Sequence, residues 1–430
     1  MEYNNTLPDK EYELWLTQAK QMLADKAKPV GSLGLLETMA CRLASLQRTL
    51  HPQIHRARLV VFAADHGITK SMPGVSAFPR EVSFSVFKTI ARGQAASSVM
   101  CAANGCELEL IDIGLDVEGG VKAMLDKSAP ALNCSEDAHN ITVVFDSKVR
   151  NGSRSMLAGP AMTPEECEAA MRAGAEAVRR ASSPAQAPNG SSADINRCSN
   201  VTSPTSLNGS PANGASVAAQ APHGLSQSQT QPGPSSAAPP LLCIGELGIG
   251  NTTAAAALLA ALTGASPIDA CGRGTGLDDA GLRVKQEAVA AALQANAALV
   301  QSGCALQALQ AVGGLELAAM TGACLEAEKL NTPVVVDGFI SGAAALVAVR
   351  HNPCVRRVLF LSHKSAEQGA AILNSALQGC SAEYESNHPS PPVLDLGMRL
   401  GEGTGALLMV PLLKAACSIM NMASLADALR

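Results

Sequence analysis

The chain reads as an α/β protein with a mostly parallel sheet and helices on both faces. Three observations point there. Short runs rich in Val, Ile and Leu alternate along the chain with longer Ala-rich runs, the pattern of strands connected by crossover helices. The short runs are apolar throughout, which implies that both faces of each strand are covered. Aromatic residues make up only 3% of the chain while hydrophobic residues reach 47%, so Ala, Leu, Val and Ile must build the core. That composition favours layered helix-on-sheet packing over an aromatic-rich sandwich.

In chain order, a strand is expected at 57–62 and a helix at 79–92, then a strand at 107–113 and an Ala- and Glu-rich helix at 164–180. A buried strand at 241–244 leads into a helix at 252–262, followed by a helix at 281–300 and another at 315–328. Strands at 333–336 and 358–361 each precede a helix, at 341–349 and 365–377. Residues 181–240 break the pattern. They are dominated by Ser, Pro, Ala, Asn, Gln and Gly, with Asp194 and Arg197 as the only Asp, Glu, Lys or Arg. Such a segment buries too little apolar surface to offset its ordering entropy, so it is expected to be a disordered insertion. A long surface loop at a helix–strand junction is tolerable because its closure entropy grows slowly with length.

A net charge of −5 and an isoelectric point near 5.9 give no electrostatic reason to expect nucleic acid or an anionic membrane as partner. No apolar run approaches the roughly 18 residues that span a bilayer. The 13 cysteines show no paired CxxC spacing, and Cys41, Cys243, Cys304 and Cys324 sit in apolar runs. They read as reduced core residues, not as disulfides or a zinc site. The first ten residues are polar and carry Glu2 and Asp9, unlike a signal or transit peptide, so a cytoplasmic location is the default and an organelle stays open.

In a parallel sheet, ligands sit in the crevice beyond the strand C-termini. The polar residues of interest follow predicted strands: Asp65-His66-Gly67, Asp112, Glu246, Asp337-Gly338 and Ser362-His363. Two runs place a carboxylate among glycines, Ile244-Gly245-Glu246-Leu247-Gly248-Ile249-Gly250-Asn251-Thr252-Thr253 and Met398-Arg399-Leu400-Gly401-Glu402-Gly403-Thr404-Gly405. Bare glycines let a substrate approach backbone and carboxylate together, which suits proton transfer or cation stabilisation. The first run opens a helix whose N-terminal amides suit an anion such as phosphate, yet it lacks the Lys and spacing of a P-loop. A glycine-rich turn with only a structural role is its alternative. Cys271-Gly272-Arg273-Gly274-Thr275-Gly276 and Val312-Gly313-Gly314 are further glycine loops that, with Lys285, could hold a phosphate without metal. By sequence alone Lys285 reads more simply as an exposed helix lysine, and Asp337 as a strand-end cap. Asp65-His66 has no second ligand cluster at useful spacing, so no metal is expected.

Taken in order, these motifs resemble the nicotinate-nucleotide:dimethylbenzimidazole phosphoribosyltransferase family. The resemblance runs through Lys28-Pro29-Val30-Gly31-Ser32-Leu33-Gly34, Ala64-Asp65-His66-Gly67, Gly74-Val75-Ser76-Ala77-Phe78-Pro79 and Gly159-Pro160-Ala161-Met162. It continues in the Glu246 run, Gly313-Gly314-Leu315-Glu316-Leu317, Asp337-Gly338-Phe339, Ser362-His363-Lys364-Ser365-Ala366-Glu367 and the Glu402 run. The resemblance implies a Rossmann-like large domain (56–180 and 241–394), a small helical domain from the chain ends (1–55 and 395–430), and a homodimer. It implies transfer of phosphoribose from nicotinate mononucleotide to 5,6-dimethylbenzimidazole, giving α-ribazole 5′-phosphate and nicotinate for cobalamin assembly, with no cofactor. By motif match, Glu402 would be the general base and Glu246 a second acid lining the site. Gly248, Asn251, Gly272, Gly274, Lys285, Gly313, Gly314 and Ser365 would bind nucleotide and phosphate. Phe78, Val86, Leu247 and Leu400 would line the base pocket, Phe78 and Val86 standing where well-studied relatives carry polar residues. Two other readings stay open: the same chemistry on a phenol or purine, and a non-catalytic binder of a benzimidazole or nucleotide.

Overall fold

The expected sheet is present. The computed structural model describes residues 10–127, 141–183, 239–379 and 389–430. Its six strands are β1 (Ala57–Ala64), β2 (Glu107–Gly114), β3 (Ile141–Val144), β4 (Leu241–Leu247), β5 (Val334–Val336) and β6 (Leu359–Leu361). They lie in the order β3-β2-β1-β4-β5-β6, and every neighbouring pair is parallel. This is the doubly wound order of a Rossmann sheet, whose direction of winding reverses between β1 and β4. β1 and the first part of β4 carry apolar runs buried on both faces, Leu59-Val60-Val61-Phe62 and Leu241-Leu242-Cys243-Ile244, whereas β2 also buries Glu109 and Asp112. β3 lay outside the sequence expectation: it has only four residues and is half-buried at the sheet edge.

Numbering only helices of eight residues or more, the helices are α1 (Lys10–Ala24), α2 (Leu35–Gln47), α3 (Glu81–Ala91), α4 (Ala96–Ala103), α5 (Pro164–Ser182) and α6 (Asn251–Thr263). They continue with α7 (Asp279–Ala295), α8 (Ala305–Val312), α9 (Leu315–Lys329), α10 (Phe339–His351), α11 (Ala370–Gln378) and α12 (Thr404–Ile419). The helix expected at 281–300 is broken at Asn296, whose buried side chain donates to the carbonyls of Met156 and Ala292. The helix expected from 365 begins only at Ala370, because residues 362–367 pair with 394–398 instead: Lys364 N–H donates to Leu394 O and Ala366 N–H to Met398 O.

α5 starts on a capping box, in which the Thr163 hydroxyl accepts from Glu166 N–H and the Glu166 carboxylate accepts from Thr163 N–H. Its inner face packs along α9, where a Cβ on Gly322 would lie 2.6 Å from backbone atoms of Met171. α9 contacts β1, β2 and β4 and is buried almost end to end, with Glu316, Thr321 and Glu326 among its buried residues. α1, α2 and α12 pack together from the two chain ends, tied by Ala27 N–H to Ala423 O and Leu425 N–H to Asp25 O. α12 also lies against β4 and β5, so one apolar core runs from Tyr12 through the sheet to Leu413.

Most of the 181–240 segment, residues 184–238, lies outside the described residues, and α5 extends two residues into it. Of the cysteines read as core, Cys41, Cys243 and Cys324 are buried, but Cys304 is exposed. Cys304 falls in the turn before α8, where its N–H donates to the Ser302 hydroxyl.

Candidate functional site

The site is built where β1 and β4 part. At the end of β1 the pairing to β2 slips, Ala63 facing Asp112 but Ala64 facing Gly114, which turns the chain out of the sheet before Asp65. Asp65 accepts from the Ser83 hydroxyl (2.6 Å) and from Asp116 N–H (2.8 Å), and Ser83 in turn accepts from Ile249 N–H. That chain of bonds fixes the β1 loop, α3 and the β4–α6 turn to one another. His66 is buried and its Nε2 lies 2.7 Å from Glu316 Oε1, at the start of α9. Burial opposes the imidazolium, but the Glu316 carboxylate prevails and raises the His66 pKa. The second Glu316 oxygen is buried with no hydrogen-bond partner among the described residues.

Glu246 is not in a loop. It occupies the penultimate position of β4, opposite Phe62 of β1, and is 4% exposed. Asn251, the first residue of α6, donates its side-chain amide to Glu246 Oε2 and accepts Thr252 N–H through Oδ1. Burial, and then the nearby carboxylates Asp337, Glu316 and Glu402, push the Glu246 pKa well above the usual range. Its environment favours a neutral acid until a cation arrives.

Glu402 lies across from it in a loop where three consecutive residues are left-handed, Gly401 (φ 86°), Glu402 (φ 59°) and Gly403 (φ 80°). A non-glycine residue there costs about 1–2 kcal/mol, so surrounding contacts must hold it. Gly245 supplies one of them. A Cβ on it would lie 2.6 Å from the carbonyl carbon of Glu402, so the absent side chain lets the loop lie on β4. Leu59 packs against Gly403, and the Thr404 hydroxyl donates to Gly401 O. The Ser97 hydroxyl, from α4, donates to Glu402 Oε2 at 3.0 Å. Burial raises the Glu402 pKa, and Ser97 only partly offsets it.

On the far side of α6 the Lys285 ammonium donates to the Thr252 hydroxyl (2.9 Å) and to Gly272 O (3.0 Å). The exposed-lysine reading is therefore corrected: Lys285 is fully buried, and burial lowers its pKa while the Glu367 carboxylate opposes the fall. It sits on the inner face of α7, toward α6, a fact that helical periodicity in an Ala-rich run does not announce. Gly274 (φ 54°) lies above it, its N–H donating to Glu367 Oε2, and Ser365 accepts Glu367 N–H. A continuous rim thus joins Glu402, Glu246, Asn251, Thr252, Lys285, Gly272, Gly274, Glu367 and Ser365.

Other expected residues fall differently. Gly248 lets the turn approach the Ala64 backbone, and Gly314 does the same for His66, so both pack the β1–β4 crevice. Gly313 ends α8 and is tightly packed against Leu309. Leu247 is buried at the end of β4 and Val86 is half-buried against the core. Phe78 and Leu400 are 47% and 53% exposed, so neither is enclosed by the fold as a closed base pocket would require. Asp112 is drawn away from the crevice, bonded to Lys148 (3.0 Å) and Leu115 N–H. Sequence reasoning had assigned no role to Ser97, Thr252, Glu316 or Glu367. The last three stand inside recognised motifs, whereas Ser97 carries no signal of its own. Among the described residues no group of acidic, His and Cys side chains has a metal-binding arrangement.

Comparison with known proteins gives one answer throughout. The phosphoribosyltransferase family model DBI_PRT matches residues 9–187 and 234–429. The nicotinate-nucleotide–dimethylbenzimidazole phosphoribosyltransferase of Chromobacterium violaceum is 38% identical over 403 residues, covering 94% of this chain and 92% of that protein. The enzyme of the same name from Thermus thermophilus is 37% identical, with 96% of each chain covered. The crystal structure of CobT from Thermus thermophilus superposes with a TM-score of 0.71 at 35% identity, over 96% of this chain and 98% of that one.

Proposed function

The chain belongs to the nicotinate-nucleotide–dimethylbenzimidazole phosphoribosyltransferase family, and we propose that it moves phosphoribose from nicotinate mononucleotide to 5,6-dimethylbenzimidazole with Glu402 as the base. The observation that carries the assignment of roles is the polarity of the rim. Carboxylates stand at one end, at Glu402 and Glu246, and a buried ammonium at the other, at Lys285, with the α6 N-terminus between them.

One nitrogen of the benzimidazole attacks the anomeric carbon while the bond to the nicotinate nitrogen breaks. The electron pair of that bond returns to the pyridinium, so nicotinate leaves without protonation. The proton on the other benzimidazole nitrogen passes to Glu402, and displacement inverts the anomeric centre. Raising the Glu402 pKa by burial brings the carboxylate nearer the pKa best suited to accept that proton near neutrality. Glu246, whose charged form burial and the neighbouring carboxylates disfavour, faces the cationic pyridinium and oxocarbenium-like ribose, where a carboxylate is worth most. The phosphate sits over Lys285 and the amides of the Gly272–Gly274 loop and the α6 N-terminus.

The test is product analysis with nicotinate mononucleotide and dimethylbenzimidazole, without added metal. Wild-type protein is expected to give α-ribazole 5′-phosphate, and Glu402→Gln to lose about 10²–10⁴-fold in turnover while keeping its fold. Turnover by Glu402→Gln near the wild-type rate would reject the assignment. A homodimer belongs to the same reading; sedimentation at twice 44.0 kDa is expected, and a monomer at micromolar concentration would remove it.

A further inference from the structure

We infer that Asp337 is the positioning residue of the general base: its carboxylate clamps the loop that carries Glu402. This inference rests on the role proposed for Glu402. Asp337 follows β5 directly, 4% exposed, and contributes no side chain to the sheet. Its Oδ1 accepts the N–H of Gly405 (2.6 Å) and of Ala406 (3.0 Å), and its Oδ2 accepts the N–H of Gly403 (3.3 Å). These are the first amides of α12, and they adjoin the left-handed residues Gly401 to Gly403. One rigid strand end therefore caps the helix and fixes the strained turn at once, beside the contacts of Gly245, Leu59 and Ser97.

The clamp is itself braced. The Ser362 hydroxyl donates to the Asp337 carbonyl and lies 3.0 Å from His363 Nδ1, which stands 3.9 Å from Asp337 Oδ1. The groups facing Asp337 are His363 after β6, Cys243 and Glu246 on β4, and Glu402 in the loop. Burial pushes the Asp337 pKa up to about 7, against the three amide donors.

The test is a kinetic cycle on the full chain with nicotinate mononucleotide and dimethylbenzimidazole, using Asp337→Asn, Glu402→Gln and the double variant. Asp337→Asn is expected to lose at least ~10-fold in kcat with the KM for nicotinate mononucleotide within ~3-fold, because the phosphate cradle is untouched. The double variant is expected to be no slower than Glu402→Gln alone, since a residue acting through Glu402 has nothing left to position. Multiplied losses in the double variant, or a single-variant kcat within ~3-fold of wild type, would overturn the inference. Should Asp337→Asn not fold, hydrogen exchange on the wild-type chain decides. Protection of the Gly405 and Ala406 amides is expected, with exchange at least ~10-fold slower than for an unstructured chain, and exchange at the unprotected rate contradicts the clamp. Retained turnover in Glu402→Gln would instead overturn the role of Glu402 itself.

Discussion

At the scale of single residues, the candidate site holds carboxylates away from the water that would stabilise their charge. Glu402, Glu246 and Asp337 all have raised pKa values, and burial is the leading cause in each. For Glu402 the sign is direct. The base must be ionised, so kcat rises with pH through a pKa above the ordinary carboxylate value. A pH–rate profile is expected to show that acid limb and to lose it in Glu402→Gln; a profile flat down to pH 4 would place the base elsewhere. Lys285 shows the complementary case, a cation kept by Thr252, Gly272 and the field of Glu367 although burial disfavours it. In the function proposed above, that buried ammonium is the group that meets the substrate phosphate.

At the scale of elements, the active loop depends on what β4 leaves out. Gly245 has the Glu402 carbonyl against its bare Cα, and Cys243, two residues earlier on the same face, donates to Ala406 O. Gly245→Ala is expected to displace the loop and to lower both stability, by about 1–3 kcal/mol of overpacking, and kcat. Gly322→Ala at the α5–α9 crossing meets the Met171 backbone and is expected to cost comparable stability with kcat unchanged. Denaturant titration alongside turnover separates the two, and equal loss of kcat in both variants would refute the distinction.

At the scale of the molecule, the two flanks of the Ser/Pro-rich segment meet. Ser183 O accepts from the Arg56 guanidinium, and Leu241 N–H donates to Arg56 O, so both ends touch one residue. Replacing 184–238 by a six-residue Gly/Ser linker shortens the loop roughly tenfold, which favours the folded state by about 2 kcal/mol at most. Unchanged kcat/KM and a slightly raised Tm are expected; loss of activity would assign the segment a part in the site. The raised carboxylates also set a whole-molecule pH dependence. A carboxylate that binds its proton more tightly when folded stabilises the fold at low pH, and that stability is lost as pH rises from 3.8 toward about 7 for Asp337. His66, also raised, adds stability of the same sign, whereas the lowered Glu107 and Glu166 lose theirs as pH falls through their own range.

The parallel sheet, most of its helices and the family were legible in the sequence, because each rests on local signals. Leu59-Val60-Val61-Phe62 can be buried on both faces only in a covered sheet, and Thr163 to Glu166 announces a helix start whatever lies around it. The glycine-flanked Glu402 stands out by the same local logic. The partners could not be read this way. Ser97 and Glu402, Asp337 and Gly405, and His66 and Glu316 are separated by 305, 68 and 250 positions, and nothing in any one segment names the other. Lys285 looked like a surface lysine because its helix is Ala-rich on every side, and only packing against α6 decides which face is buried. Residue types are chosen by local chemistry, but protonation and pose are set by what the fold brings within a few ångströms. The sequence by itself therefore determined which groups are available, and the tertiary structure alone decided which carboxylate backbone amides clamp and which are buried against one another.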